Sequence, residues 1–149
     1  MNDDFFMQMA LKEARKSNFF GEVPVGAVIT LDEKIIASGH NLSISRKDPT
    51  MHAEISAIRK ASESMGNYRL TGTSIYVTLE PCAMCYGAIV HARISRLIFG
   101  AHDPKTGVCG SKIKLHEQDC FNHNPKIRGG VLEEDCSLVL KNFFKKKRG

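Results

Sequence analysis

No apolar run in the 149-residue chain approaches the roughly 18 residues that a membrane span requires. The opening Met1-Asn2-Asp3-Asp4 lacks the basic residues of a secretory signal and is acidic instead. A cytoplasmic protein with no membrane partner is therefore expected. Five cysteines are an odd number, which argues against a complete disulfide framework. Internal repeats, low-complexity linkers and a second domain boundary are also lacking. What remains is a chain of 16.5 kDa with 42% hydrophobic residues. That is enough for one domain, spanning 1–149, to bury a core without covalent staples.

Acid is missing from one place in particular. Residues 141–149 carry Lys141, Lys145, Lys146, Lys147 and Arg148 and no carboxylate. Removing those five from the 21 basic residues leaves 16, equal to the 16 acidic ones, so the basic C-terminal helix and tail hold the whole net charge of +5. With Phe143 and Phe144 beside it, such a segment suits a polyanion that also offers bases to stack on. The plainer reading is a solvated end, with at least one of the two phenylalanines packed in the core.

Periodicity gives a coarse outline. Asp3 or Asp4 can cap a first helix running to about Asn18. Residues 25–31 read as a strand, Asp32-Glu33 as a turn, and 34–38 as its return. A polar loop follows to Thr50, and a helix begins around His52. Residues 75–79 form a β-branched and aromatic strand, Pro81 opens a short helix over 83–92, and 96–99 form another strand. A last helix covers about 133–146. Strands alternating with helices predict an α/β sandwich with a largely parallel inner sheet.

The chemistry concentrates in His52-Ala53-Glu54 and Pro81-Cys82-Ala83-Met84-Cys85. One imidazole and two thiolates make three protein ligands, the set that leaves a zinc ion an open position for water or substrate. Two thiolates favour zinc over iron. Both half-sites fall at predicted helix starts, where the positive end of the helix dipole favours thiolates. Glu54 lies roughly 200° around an ideal helix from His52, so the two reach a common point only if the helix end faces the metal. His-x-Glu followed by Pro-Cys-x-x-Cys is the signature of zinc nucleobase deaminases, in which the acid is a proton carrier and not a ligand. Three other readings compete. Glu54 could be a solvated first-turn glutamate. The cysteines could be a redox dithiol, although such motifs bring no upstream His-x-Glu. His91, His102 or Cys109 could close the site as a fourth ligand, giving a non-catalytic zinc-stabilised RNA-binding module. Cys109, Cys120 and Cys136 otherwise read as incidental thiols.

On these motifs the chain resembles the bacterial tRNA-specific adenosine deaminases of the cytidine-deaminase superfamily. The resemblance extends through Glu22-Val23-Pro24-Val25-Gly26-Ala27-Val28, Asn41, Asp48-Pro49-Thr50 and Asn67-Tyr68-Arg69-Leu70. It continues in Tyr76-Val77-Thr78-Leu79-Glu80, His91-Ala92-Arg93-Ile94, Asp103-Pro104-Lys105-Thr106-Gly107 and the Phe143-Phe144 tail. It implies a three-layer α/β/α cytidine-deaminase-like fold with a central five-stranded mixed sheet. It implies a homodimer with one zinc ion per subunit and the active site near the dimer interface. It also implies conversion of the wobble adenosine in a tRNA anticodon, that of an arginine tRNA, to inosine.

By the same resemblance His52, Cys82 and Cys85 are the metal ligands and Glu54 is the catalytic acid–base. Asn41 contacts the base, and Val25 and Ala53 form the pocket wall. Asp103 and Lys105 stand near the flipped-out nucleotide, while Phe144 and Arg148 reach the anticodon loop. Met51 and His102 depart from the family's usual residues. The metal signature alone is shared with deaminases of free guanine, cytosine or nucleosides, which remain the alternative. An anticodon loop favours the RNA reading, since its bases are already partly unstacked and cheap to extrude.

Overall fold

In the computed structural model, which describes residues 2–149, the chain runs α1 (Asp3–Phe19), β1 (Gly26–Leu31), β2 (Lys34–His40), α2 (Ala53–Met65), β3 (Ser74–Leu79), α3 (Ala83–His91), β4 (Arg96–Ala101), β5 (Lys126–Arg128) and α4 (Glu133–Arg148). The strands form one sheet in the order β2-β1-β3-β4-β5. Successive side chains of a strand point to opposite faces, and the core divides accordingly. Ala27, Ile29, Ile75, Val77, Leu97 and Phe99 pack under α2 and α3. Val28, Tyr76 and Ile98 pack under α1 and the start of α4. Burial on both faces explains why the central strands are apolar at nearly every position.

The sheet is mixed and not largely parallel. β1 is antiparallel to both β2 and β3, whereas β3 runs parallel to β4 and β4 to β5. The β1–β2 pair is the hairpin expected at Asp32-Glu33, and the departure lies in the antiparallel pairing of β1 with β3. Asp32 and Glu33 take φ of 51° and 62°, the left-handed pair of a tight hairpin turn, and a two-residue hairpin can only join antiparallel strands. The short edge strand β5 has no apolar periodicity to announce it, with both ends exposed.

Two glycines set the distance of the helices from this sheet. A Cβ on Gly26 would lie 2.0 Å from the Ala10 carbonyl oxygen, so α1 sits directly on β1. A Cβ on Gly39 would meet Ala57 N at 2.7 Å and Ala53 O at 2.8 Å, so the first turns of α2 rest on β2 in the same way. Only glycine permits either approach.

The cap of α1 is Asn2, whose side chain accepts from the Phe5 N–H at 3.1 Å, and not Asp3 or Asp4. Asp3 turns inward. Its carboxylate is 4% exposed and accepts from the Tyr76 hydroxyl at 2.9 Å, from Arg96 at 3.0 Å and from Arg128 at 2.7 Å. α1 is thereby tied to β3, β4 and β5.

α4 extends to Arg148, so the basic segment is helical. Glu133, Glu134 and Asp135 in its first turn and Lys145, Lys146, Lys147 and Arg148 in its last both complement the helix dipole. Phe143 is 6% exposed and Phe144 45%, so one ring packs inward and its neighbour outward. Among the described residues no helix is long and apolar enough to cross a membrane.

The Asp3 network makes stability depend on pH. Burial alone would push the Asp3 pKa up, but the hydrogen bonds from Arg96, Tyr76 and Arg128 outweigh it and hold the group at about 2. A depressed carboxylate contributes stability above its unfolded pKa, and that contribution fades as pH falls toward the folded value. Asp3→Asn should cost about 2 kcal/mol at pH 7. In urea titrations the gap to the unsubstituted protein should narrow below about pH 4 and close near pH 2. A gap that stays constant over that range would show that the charge of Asp3 contributes nothing.

Candidate metal centre and adjoining pocket

His52 and Cys82 occupy equivalent positions on different helices. His52 is the N-cap of α2, with extended backbone at φ −72° and ψ 164°. Cys82 is the N-cap of α3, at φ −80° and ψ 175°. Neither side chain caps its own helix, so both are free to turn toward a shared point. Cys85, in the first turn of α3, joins them. Pro81 lies just outside this helix start.

The His52 Nδ1 atom is 3.5 Å from Cys85 Sγ and 3.7 Å from Cys82 Sγ, and the three ligand atoms lie within 4.8 Å of one another. A tetrahedral zinc with Zn–N of about 2.05 Å and Zn–S of about 2.3 Å would separate N from S by about 3.6 Å. The donor set and its spacing therefore fit zinc.

The suggested fourth ligands do not join this group among the described residues. His102 instead bonds Glu133 at 2.7 Å, and neither the Cys109 sulfur nor His91 belongs to the group. An open three-ligand arrangement is what the geometry offers.

Protonation in the group is shared. A hydrogen bond from Cys85, reinforced by His52, holds the Cys82 thiol down at about 4. Cys85, donating to that thiolate, is pushed up. His52 is raised through its hydrogen bond to Cys82. Glu54, the second residue of α2 and 4% exposed, is pushed up to about 7 by burial. It is not the solvated first-turn glutamate that a sequence would ordinarily suggest.

A cavity of about 210 Å³ adjoins this group, lined by His52, Glu54 and Cys82. Of the residues expected around a base, Asn41, Val25, Ala53 and Asp103 also line it. Its volume is below the roughly 300–1,000 Å³ common for larger ligands, a size suited to a single ring system. Lys105 and Phe144 line an adjoining groove of about 420 Å³ that shares Val23, Leu79, Asp103 and Thr106 with the cavity. Arg148, the last residue of α4, lines neither.

Two residues that shape the site escaped sequence reasoning, both buried glutamates that hold loops. Glu22, fully buried, accepts from the Ile44 N–H at 3.1 Å, the Ser45 N–H at 2.7 Å and the Ser45 hydroxyl at 2.7 Å. This fixes the loop that starts at Asn41. Asn41 itself donates to the Val23 carbonyl at 3.3 Å and accepts from the Ser43 N–H and hydroxyl. Glu80 accepts from the N–H groups of Asp103, Cys109 and Ser111 at 3.0, 2.9 and 3.1 Å, and from the Ser111 hydroxyl. That fixes the loop carrying Asp103, whose own carboxylate closes a turn onto Lys105 and Thr106. The available signal was an acid directly after the apolar run of β3, where a solvated residue is out of place.

Comparison with known proteins adds four findings. Residues 1–101 match the cytidine and deoxycytidylate deaminase zinc-binding region. The chain is 50% identical over 147 residues to the tRNA-specific adenosine deaminase of Haemophilus influenzae, covering 98% of this chain and 85% of that one. It is 44% identical over 146 residues to the tRNA-specific adenosine deaminase of Bacillus subtilis, covering 98% and 91%. A solved structure from a study of A-to-I editing by tRNA:A34 deaminases at the wobble position of transfer RNA superposes with a TM-score of 0.89. It is 45% identical, with 91% of this chain and 99% of that chain covered.

The Glu22 clamp can be tested without any ligand. Glu22→Gln puts an amide where a carboxylate accepts two backbone N–H groups. Losing a charge-assisted bond of about 1.5–3 kcal/mol should speed amide hydrogen exchange at Ile44 and Ser45 by about tenfold or more. Unchanged protection at both would show that the loop is held by other means.

Proposed function

The chain belongs to the cytidine and deoxycytidylate deaminase zinc-binding family, and within it to the tRNA-specific adenosine deaminases; on that premise we propose that it hydrolytically deaminates adenosine to inosine at the wobble position of a tRNA anticodon, that of an arginine tRNA. One observation carries the reading: a buried glutamate lines the same ring-sized cavity as an open His-Cys-Cys group.

His52 Nδ1 and the sulfurs of Cys82 and Cys85 would hold one zinc ion per subunit, which supplies Lewis acidity that brings the pKa of water from 15.7 to about 7. Glu54 moves the protons. Its carboxylate takes one from the attacking water and gives it to the ring nitrogen beside the amine-bearing carbon. It then assists the departure of ammonia, leaving inosine.

The other residues hold the base and its neighbours. Val25 and Ala53 form the apolar wall. The amide nitrogen of Asn41 spends one N–H on Val23 and has a second for a ring acceptor. Asp103 shapes the turn at the cavity mouth. Lys105 and Phe144, in the adjoining groove, take the flanking phosphate and base. Arg148 follows Phe144 by four residues and so shares its face of α4. A homodimer acting on tRNA in the cytoplasm is the matching assembly.

The deciding experiment is inosine formation on an arginine tRNA anticodon stem-loop, run beside free adenosine, guanine and cytosine. Wobble inosine with the free compounds untouched is expected. Turnover of a free compound with an inert stem-loop would move the activity to the small-molecule deaminases. Glu54→Ala should lower turnover by about 10²-fold or more while zinc content and RNA affinity persist. An active Glu54→Ala protein would sink the mechanism.

The helical basic segment gives a second test. Because Phe143 is core, removing residues 141–149 would also damage packing, and replacing the five cations by glutamine is the cleaner change. If each met a phosphate, the slope of log affinity against log salt would lose up to about 3.5. An unaltered slope would return these charges to the role of dipole complement.

A further inference from the structure

A second groove lies between the end of α1 and the end of α4, outside the cavity and its adjoining groove. It encloses about 540 Å³ and is lined by Arg15, Asn18, Phe19, Phe143, Lys146 and Lys147. Three of these are cations and none is an acid. The nearby Lys16 is already paired with Glu13 at 2.7 Å.

At its rim Phe19 is 86% exposed and Phe20 63%, their rings edge to face at 5.5 Å. The dipole of α4 accounts for its own lysines. It does not account for Arg15 on α1, nor for two adjacent large rings left in water.

The rings and cations suit one ligand chemistry, a strand whose repeating unit carries both a stackable face and a phosphate. An acidic peptide would use the charges and leave the rings idle. The chain also links this surface to the pocket. Phe143 lines the groove, while its neighbour Phe144 lines the one beside the cavity. From Phe20 it is three residues to Val23 in the cavity wall.

We infer that the α1–α4 groove binds a flanking stretch of the same RNA whose target nucleotide enters the cavity, with one ring of the Phe19–Phe20 pair stacking a base and Arg15, Lys146 and Lys147 meeting its phosphates. This rests on the tRNA reading and extends it to a surface remote from the reacting atoms.

The test uses the full chain and two exposed variants on α1, F19A/F20A and R15Q, titrated with the anticodon stem-loop and with intact tRNA by fluorescence anisotropy. The double variant should bind one of these RNAs about tenfold more weakly, as loss of a stacked base requires. R15Q should lower the log–log salt slope by about 0.7–0.9. Turnover at saturating RNA should stay unchanged in both.

If the parent protein binds and deaminates while neither variant alters affinity or slope on either RNA, the groove is not an RNA surface. It is equally excluded as one if F19A/F20A changes only the sedimentation coefficient, since the rings then pack a second copy. If the parent protein neither binds nor deaminates RNA, the proposed function itself fails and takes this inference with it.

Discussion

The convergence of two helix starts, α2 at His52 and α3 at Cys82, sets the position of the candidate ligands and of Glu54 beside them. Each helix presents its N-cap side chain to the common point, and neither uses that side chain as a cap. A good N-cap is worth about 1 kcal/mol, so both helices forgo that stability and leave His52 and Cys82 turned to a point where a metal would fit. The sheet makes the convergence possible. α2 reaches the point because Gly39 lets its first turns lie against β2. α3 reaches it because the parallel pair β3 and β4 is joined by that helix as a crossover.

Around this fixed point the pocket is held by buried carboxylates and not by hydrophobic packing alone. Glu22 and Glu80 each accept several hydrogen bonds from a loop distant in sequence. A desolvated carboxylate is tolerated only when its acceptor sites are filled. That demand runs both ways, since a loop leaving its clamp would strand a buried charge. Asn41 and Asp103 thus stand on preorganised segments, as a site that discriminates among ring systems requires.

The legible part of the site was the part dictated by chemistry. Zinc accepts few ligand types, so His52, Cys82, Cys85 and Glu54 were singled out by kind and spacing, and the structure brings the first three together with Glu54 lining the cavity beside them. Asn41, Val25, Ala53 and Asp103, assigned by resemblance, all line the cavity. Lys105 and Phe144 lie one groove away, and Arg148 a helical turn beyond. Glu22 and Glu80 were illegible as clamps because their partners are backbone amides, which every residue possesses. The fold followed the same division. Strongly apolar strands were found to within a residue or two, whereas β5 is too short to carry a pattern. The β1–β2 hairpin was legible in Asp32-Glu33, whereas the antiparallel pairing of β1 with β3, strands 43 residues apart at Leu31 and Ser74, is long-range and no periodicity reports it. At the N-terminus, Asn2 took the capping role and released Asp3 inward, a shift of one position that reversed the meaning of an acid.

Asp3 has one more consequence, concerning time. Its three partners stand 73, 93 and 125 residues further along the chain. Contacts of such separation close large loops and form late. Synthesis runs from the N-terminus, so α1 emerges well before Arg128. The apolar face of α1 can settle on β1 and β3 earlier, but its polar fastening at Asp3 is completed only when the far edge of the sheet exists.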